Sequence, residues 1–284
     1  MGKERIERMF ASVRERERPG LIIFLTAGFP DMETTLELVP ALVAAGADAV
    51  ELGVPFSDPL GDGPVIQQSG FLALQNGVTT ADCLRAAETL RDRIPDTPLI
   101  LMGYYNPVFS YGIAPFAAEC QRVGVDGLIT VDLPGTESGP LAAECDSRDI
   151  SVIPLLAPTS TEESIAESCR NASGFVYCVS VTGVTGARIE VSSRGVELLR
   201  RVRSHTNLPL ALGFGISAPE HVVEVGKTAD AAVVGSALVR VILESPRHEV
   251  VERASAFVAS LAGQTLAAQS APSAPLRTGD GGRP

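Results

Sequence analysis

Eight short apolar runs, each followed by a stretch of helical periodicity, leave this chain few ways to fold. The runs are Leu21–Thr26, Ala47–Gly53, Pro98–Gly103, Gly127–Val131, Ser151–Leu156, Gly174–Val179, Pro209–Gly213 and Ala231–Gly235. They are largely apolar on both faces, the mark of parallel strands covered on both sides. Helical spacing follows over Thr34–Ala45, Thr80–Arg91, Pro115–Val123, Ser138–Ser147, Thr161–Arg170, Arg194–Arg203 and Pro219–Val225. Eight such units in about 250 residues predict an α/β chain folded as a (β/α)8 TIM barrel, not an open doubly wound sheet. Several helices hand over to the next strand through short turns ending in Asp48, Asp126 and Asp230. Ile6, Met9, Phe10 and Val13 add an amphipathic helix ahead of the first strand, and Glu249–Leu261 reads as a closing helix. One barrel domain is expected over residues 1–263. From Gln264 to Pro284 the chain turns to Ala, Ser, Pro and Gly without periodicity, the composition of a disordered tail.

Charge and rare residues narrow the chemistry. A formal net charge of -11 argues against nucleic acid or an anionic membrane as the main partner. No apolar run approaches the roughly 20 residues that span a bilayer. The N-terminus is too charged for a signal peptide, so a cytoplasmic protein is expected. Cys83, Cys120, Cys145, Cys169 and Cys178 form no C-x-x-C pair and read as reduced thiols. His205, His221 and His248 lie in helical or helix-flanking segments, away from the ends of apolar strands. A metal site or a Ser–His pair is therefore hard to build, and acid–base work falls to carboxylates or tyrosines.

Active sites of such barrels occupy the C-terminal ends of the strands. There the second strand carries Glu51, and the stiff loop after it, set by Pro55, Pro59, Gly61 and Gly63, carries Asp58 and Asp62. A Glu in an apolar strand resists burial unless it is paired or functional. The competing structural reading has Glu51 capping a helix and the aspartates making Asx turns. The loops after strands six, seven and eight are rich in Gly and hydroxyls, and Gly235-Ser236 leads directly into a helix. Bare backbone N–H groups there can bind phosphate without a basic side chain, although such glycines also serve simply as turns. Phe24, Tyr104, Tyr177 and Phe214 would supply a flat apolar wall for a planar ligand, or core packing.

The motifs ELGVPFSDPLGDGPVIQ, LMGYYNPVFSYG, SVTGVTGAR, GFGIS and GSALV, in this order, resemble the tryptophan synthase α chain family. The resemblance spans roughly residues 1–262. It implies retro-aldol cleavage of indole-3-glycerol phosphate into indole and glyceraldehyde 3-phosphate. By motif position Glu51 would be the acid–base group and Asp62 the partner of the indole N–H. Phe24, Met102, Tyr104, Ile129, Leu155 and Phe214 would line the indole pocket. Tyr177 and Thr185 would order the site, and Gly186, Gly215, Gly235 and Ser236 would hold the phosphate. The resemblance also implies docking on a β chain through Asp58, Pro59 and the Asn106-Pro107 loop, in an αββα assembly that passes indole onward. Pyridoxal phosphate would belong to that partner, and this chain would carry no cofactor. Phe29 and Val181 depart from many members of the family. The alternatives are the same lyase working without a β chain, a flavin-binding barrel with the same phosphate grip, and a non-catalytic subunit that activates its partner.

Overall fold

The computed structural model describes residues 2–180, 193–213 and 215–263, so the tail expected at 264–284 lies outside the described residues. Nine parallel strands form one sheet: β1 (Gly20–Thr26), β2 (Ala49–Gly53), β3 (Leu99–Gly103), β4 (Gly127–Thr130), β5 (Ser151–Val152), β6 (Leu155–Leu156), β7 (Val176–Val179), β8 (Leu210–Gly213) and β9 (Ala231–Val234). β1 pairs with both β2 and β9, while the two ends of the sheet order, β5 and β6, are neighbours in the chain. The sheet thus closes into a barrel of eight staves. The expected strand Ser151–Leu156 is one stave in two pieces, because Pro154 has no N–H to give the ladder. Hydrogen bonding continues across the break, from Ile153 N–H to Leu128 O (3.0 Å) and from Tyr177 N–H to Pro154 O (3.0 Å).

The helices in chain order are α1 (Gly2–Glu15), α2 (Met32–Ala44), α3 (Pro64–Gln75), α4 (Thr80–Arg93), α5 (Tyr105–Tyr111), α6 (Ile113–Arg122), α7 (Gly139–Asp146), α8 (Glu162–Asn171), α9 (Ser193–Arg203), α10 (Pro219–Gly226), α11 (Ser236–Glu244) and α12 (Val250–Leu261). Two of them correct the sequence reading. The residues after β2 form α3, which Pro64 opens at a position where its missing N–H costs nothing. Asn106 and Pro107 sit on α5 and not in a loop; its first N–H, on Tyr105, donates to Asp132 Oδ1 at 2.7 Å. Among the described residues no helix is long and apolar enough to cross a membrane.

Side chains alternate across the staves. Leu21, Ile23, Leu25, Val50 and Leu52 point outward into the layer shared with the helices. Ile22, Ala49, Ile100, Ile129, Ile153, Phe175, Ala211 and Ala231 point inward. The alanines, with Gly20 and Gly127, leave room at the bottom of the barrel, and α1 fills it with Ile6, Met9, Phe10 and Val13. The Phe10 and Phe175 rings meet there at 5.6 Å.

The strand-start aspartates close that same bottom face. Asp48, Asp126 and Asp230 each reach sideways to an N–H at the start of the preceding stave, on Leu21, Leu99 and Leu210, at 2.8 Å in all three cases. Arginines complete each carboxylate: Arg16 and Arg18 on Asp48, Arg5 and Arg91 on Asp126, Arg203 on Asp230. Asp126 is wholly buried, so Asp126→Ala strands two guanidinium groups and a backbone donor. A loss of about 3 kcal/mol in unfolding free energy is expected by urea titration. A change below about 0.5 kcal/mol would mean that water replaces the carboxylate freely.

Candidate active site

A cavity of about 360 Å³ opens at the C-terminal end of the barrel. Its floor carries Glu51, which stands level with Phe24 of β1 and Ile100 of β3. Burial of Glu51 is complete, and neither carboxylate oxygen has a hydrogen-bond partner among the described residues. Removal from water disfavours the charged form, and the protonation constant rises from the ordinary 4.5 to about 8. A neutral acid near pH 7 is the result. The second carboxylate, Asp62, reaches the same cavity from the loop after β2. Burial also raises its pKa, while a hydrogen bond from Tyr104 pulls the other way.

Tyr177 stands on the inner face of β7 and lines the cavity beside them. Burial, then the nearby Glu51 and Asp62, holds its phenol well above the ordinary range, so it stays neutral. Gly213 on the neighbouring stave leaves space for it: a methyl group there would lie 2.5 Å from Tyr177 Oη. Phe24, Met102 and Leu155 supply apolar wall. Gly215, Gly235 and Ser236 also line the cavity, and Ser236 opens α11. Unpaired N–H groups at such a helix start favour an anion.

Some expected residues stand elsewhere. Ile129 is closed off in the barrel interior; Val131, two residues on and on the same face of the chain, holds the wall position. Tyr104 lines a smaller adjoining cavity that shares Phe24, Asp62, Ile66, Met102 and Val131 with this one. Its ring stacks on Phe56 at 5.0 Å, and its hydroxyl accepts the Gly61 N–H at 2.9 Å. Thr185, Gly186 and Phe214 lie outside the described residues. Sequence reasoning passed over Ile66, Val131, Val179, Ile216 and Val233, all on the wall. The inward parity of Val131, Val179 and Val233 was the available signal.

The rim beside Asp62 carries a second feature. Leu60 is 94% exposed and Phe109 65%, with Phe71 and Tyr111 also exposed. They accompany Asp58 and Asn106, exposed as well, and the half-buried Pro59 and Pro107. Leu60 and Phe71 follow β2, and Phe109 and Tyr111 follow β3, so large apolar groups are left in water on two successive segments.

Known proteins resemble this chain over most of its length. The family model for the tryptophan synthase alpha chain matches residues 10–267. The tryptophan synthase alpha chain of Roseiflexus castenholzii is 48% identical over 259 residues, which is 91% of this chain and 99% of that one. The chain belongs to the tryptophan synthase alpha chain family. The alpha chain of Chloroflexus aggregans is 47% identical over 261 residues, covering 92% of this chain and 98% of its own length. Among solved structures, tryptophan synthase from Mycobacterium tuberculosis superposes with a TM-score of 0.83 at 36% identity, over 91% of this chain and 96% of that one. Tryptophan synthase alpha chains are barrel lyases of tryptophan biosynthesis, and this chain is one of them. The rival reading as a flavin-binding barrel falls with that assignment.

Proposed function

We propose that the chain cleaves indole-3-glycerol phosphate to indole and glyceraldehyde 3-phosphate, with Glu51 as the acid–base group and Asp62 as the charge-stabilising partner. One observation carries the assignment of roles: a wholly buried Glu51, protonated up to about pH 8, faces the same cavity as a second carboxylate. An acid already protonated near neutrality can deliver its proton to indole C3. A C3–H bond then forms and the ring becomes an indolenine cation. Asp62, fixed beside the ring N–H, offsets that charge. The bond from C3 to the glycerol carbon breaks, its electron pair returns to the ring, and the hydroxyl proton of that carbon passes to Glu51. The aldehyde leaves, and Glu51 is again protonated. Tyr177 would order the ring, with Thr185 helping to order the site.

The phosphate fits the rim at Gly215, Gly235 and Ser236, with Gly186 assigned there by motif position. At Gly235 an added side chain would begin in ordinary contact with Phe24, 3.6 Å away, so a carboxylate there acts through its charge. Gly235→Asp is expected to raise the KM for indole-3-glycerol phosphate at least tenfold, as losing about 1.4 kcal/mol of binding requires. Free indole should bind as before. Equal weakening of both ligands would mean general damage to the barrel.

The exposed Leu60, Phe71 and Phe109, with Asp58, Pro59, Asn106 and Pro107, supply a surface for a tryptophan synthase β chain. Pyridoxal phosphate is assigned to that partner and indole passes to it, in an α2β2 assembly in the cytoplasm. Incubating the purified chain with indole-3-glycerol phosphate, with and without a β chain, tests the whole reading. Indole release that rises with the β chain is expected. Release that ignores it favours a stand-alone lyase, and no release in either arm refutes the assignment.

A further inference from the structure

The turn that carries Asp62 is held from two sides. From α3, Gln67 directs its amide nitrogen at Pro59 O (3.2 Å) and Asp62 O (2.9 Å). Both partners are carbonyl acceptors, so the amide presents its nitrogen and not its oxygen. From the junction of β3 and α5, Tyr104 accepts the Gly61 N–H at 2.9 Å and donates to the Asp62 carboxylate.

The platform under Gln67 is rigid. Ser69, fully buried two residues on, donates its single proton to Ile66 O at 2.8 Å. It therefore accepts from Thr26 Oγ1 at the end of β1, at 2.6 Å. The turn itself has little else to fix it. Its backbone contributes Leu60 N–H to Asp58 O and Asp62 N–H to Pro59 O, and Leu60 packs on almost nothing at 94% exposure. Without a side-chain clamp, a turn so exposed samples many orientations of the carboxylate.

We propose that Gln67 is a positioning residue for the reaction, pinning both carbonyls of the Pro59–Asp62 turn so that the Asp62 carboxylate meets the indole N–H. The proposal rests on the reading of Asp62 given above. Gln67 acts only through Asp62, so its loss should cost nothing further once Asp62 is neutral.

A double-mutant cycle tests this. Gln67→Met keeps length and removes the donor, and a small misplacement of a reacting group costs on the order of ten- to a hundredfold. Its kcat for indole release is expected to fall by that amount, with the KM for indole-3-glycerol phosphate and the melting temperature nearly unchanged. Gln67→Lys restores a donor and should recover part of the rate. The Asp62→Asn/Gln67→Met pair should be no slower than Asp62→Asn alone. Wild-type kcat in Gln67→Met, or losses that add in full in the pair, would overturn the proposal. So would a fall in melting temperature with kcat and KM damaged alike, since that marks a merely structural side chain. Wild-type turnover in Asp62→Asn removes the reading beneath the proposal, and the proposal with it.

Discussion

Glu51→Gln is expected to lower indole release by about 10²–10⁴-fold, the usual contribution of a positioned acid–base group, while indole-3-glycerol phosphate still binds. Gln has the same shape and cannot give up or take back a proton. The substitution therefore removes the C3 protonation step and leaves the phosphate residues Gly215, Gly235 and Ser236 untouched. The wild type carries a matching signature. Because Glu51 holds its proton up to about pH 8, kcat/KM should fall on the alkaline side near that value. Stopped-time assays of indole across pH 6–10, together with substrate binding to the Gln variant, check both parts. Unaltered turnover in Glu51→Gln would make Glu51 a structural residue.

The same substitution should stabilise the protein, and more so as the pH rises. Glu51 binds its proton with a constant of 4.5 in water and about 8 in the fold. Between those values the folded chain holds a proton that the unfolded chain has released. Linkage then makes the wild type lose stability as pH climbs through that window, with the full loss reached above about pH 8. At 1.36 kcal/mol per unit, the penalty reaches about 5 kcal/mol. Gln does not titrate. Its advantage should be near zero at pH 4.5 and grow to that order by pH 9, roughly 10–20 °C in melting temperature for a chain of this size. A difference that stays flat with pH would mean that the carboxylate is hydrated in solution. Loss of activity joined to gain of stability is the usual sign of a group kept for function at the expense of the fold.

Much of this was legible in the residues. Strands buried on both faces announce themselves as apolar runs, and every stave fell where such a run stands. A Glu inside one of them stands out because its charge resists the place. Other features depended on contacts distant in sequence. α5 starts on a carboxylate from the next stave, Asp132, which no local pattern around Tyr105 reveals. α3 is preceded by Gly63, which offers no side-chain cap, and carries Gly70 in its middle, so its periodicity is weak. Missing that helix hid Gln67. Ile129 reads as wall because it is large and sits on a strand. Which of several inward side chains meets the cavity is a matter of level along the barrel axis, and there Val131 takes the place assigned to Ile129.

The helix at the bottom of the barrel has a consequence for the order of assembly. The site that receives Ile6, Met9, Phe10 and Val13 is assembled from residues between Ile22 and Val233. Its far wall, Ala211, Ala231 and Val233, arrives more than 190 positions after α1 in the chain. During synthesis α1 is therefore made ahead of its own binding site and must keep an apolar stripe in water until the last staves close. Contacts of such separation form late, because closing so long a loop costs more entropy than closing a short one. The helix is in this sense finished long before its place exists, and its docking reports that the ring is complete.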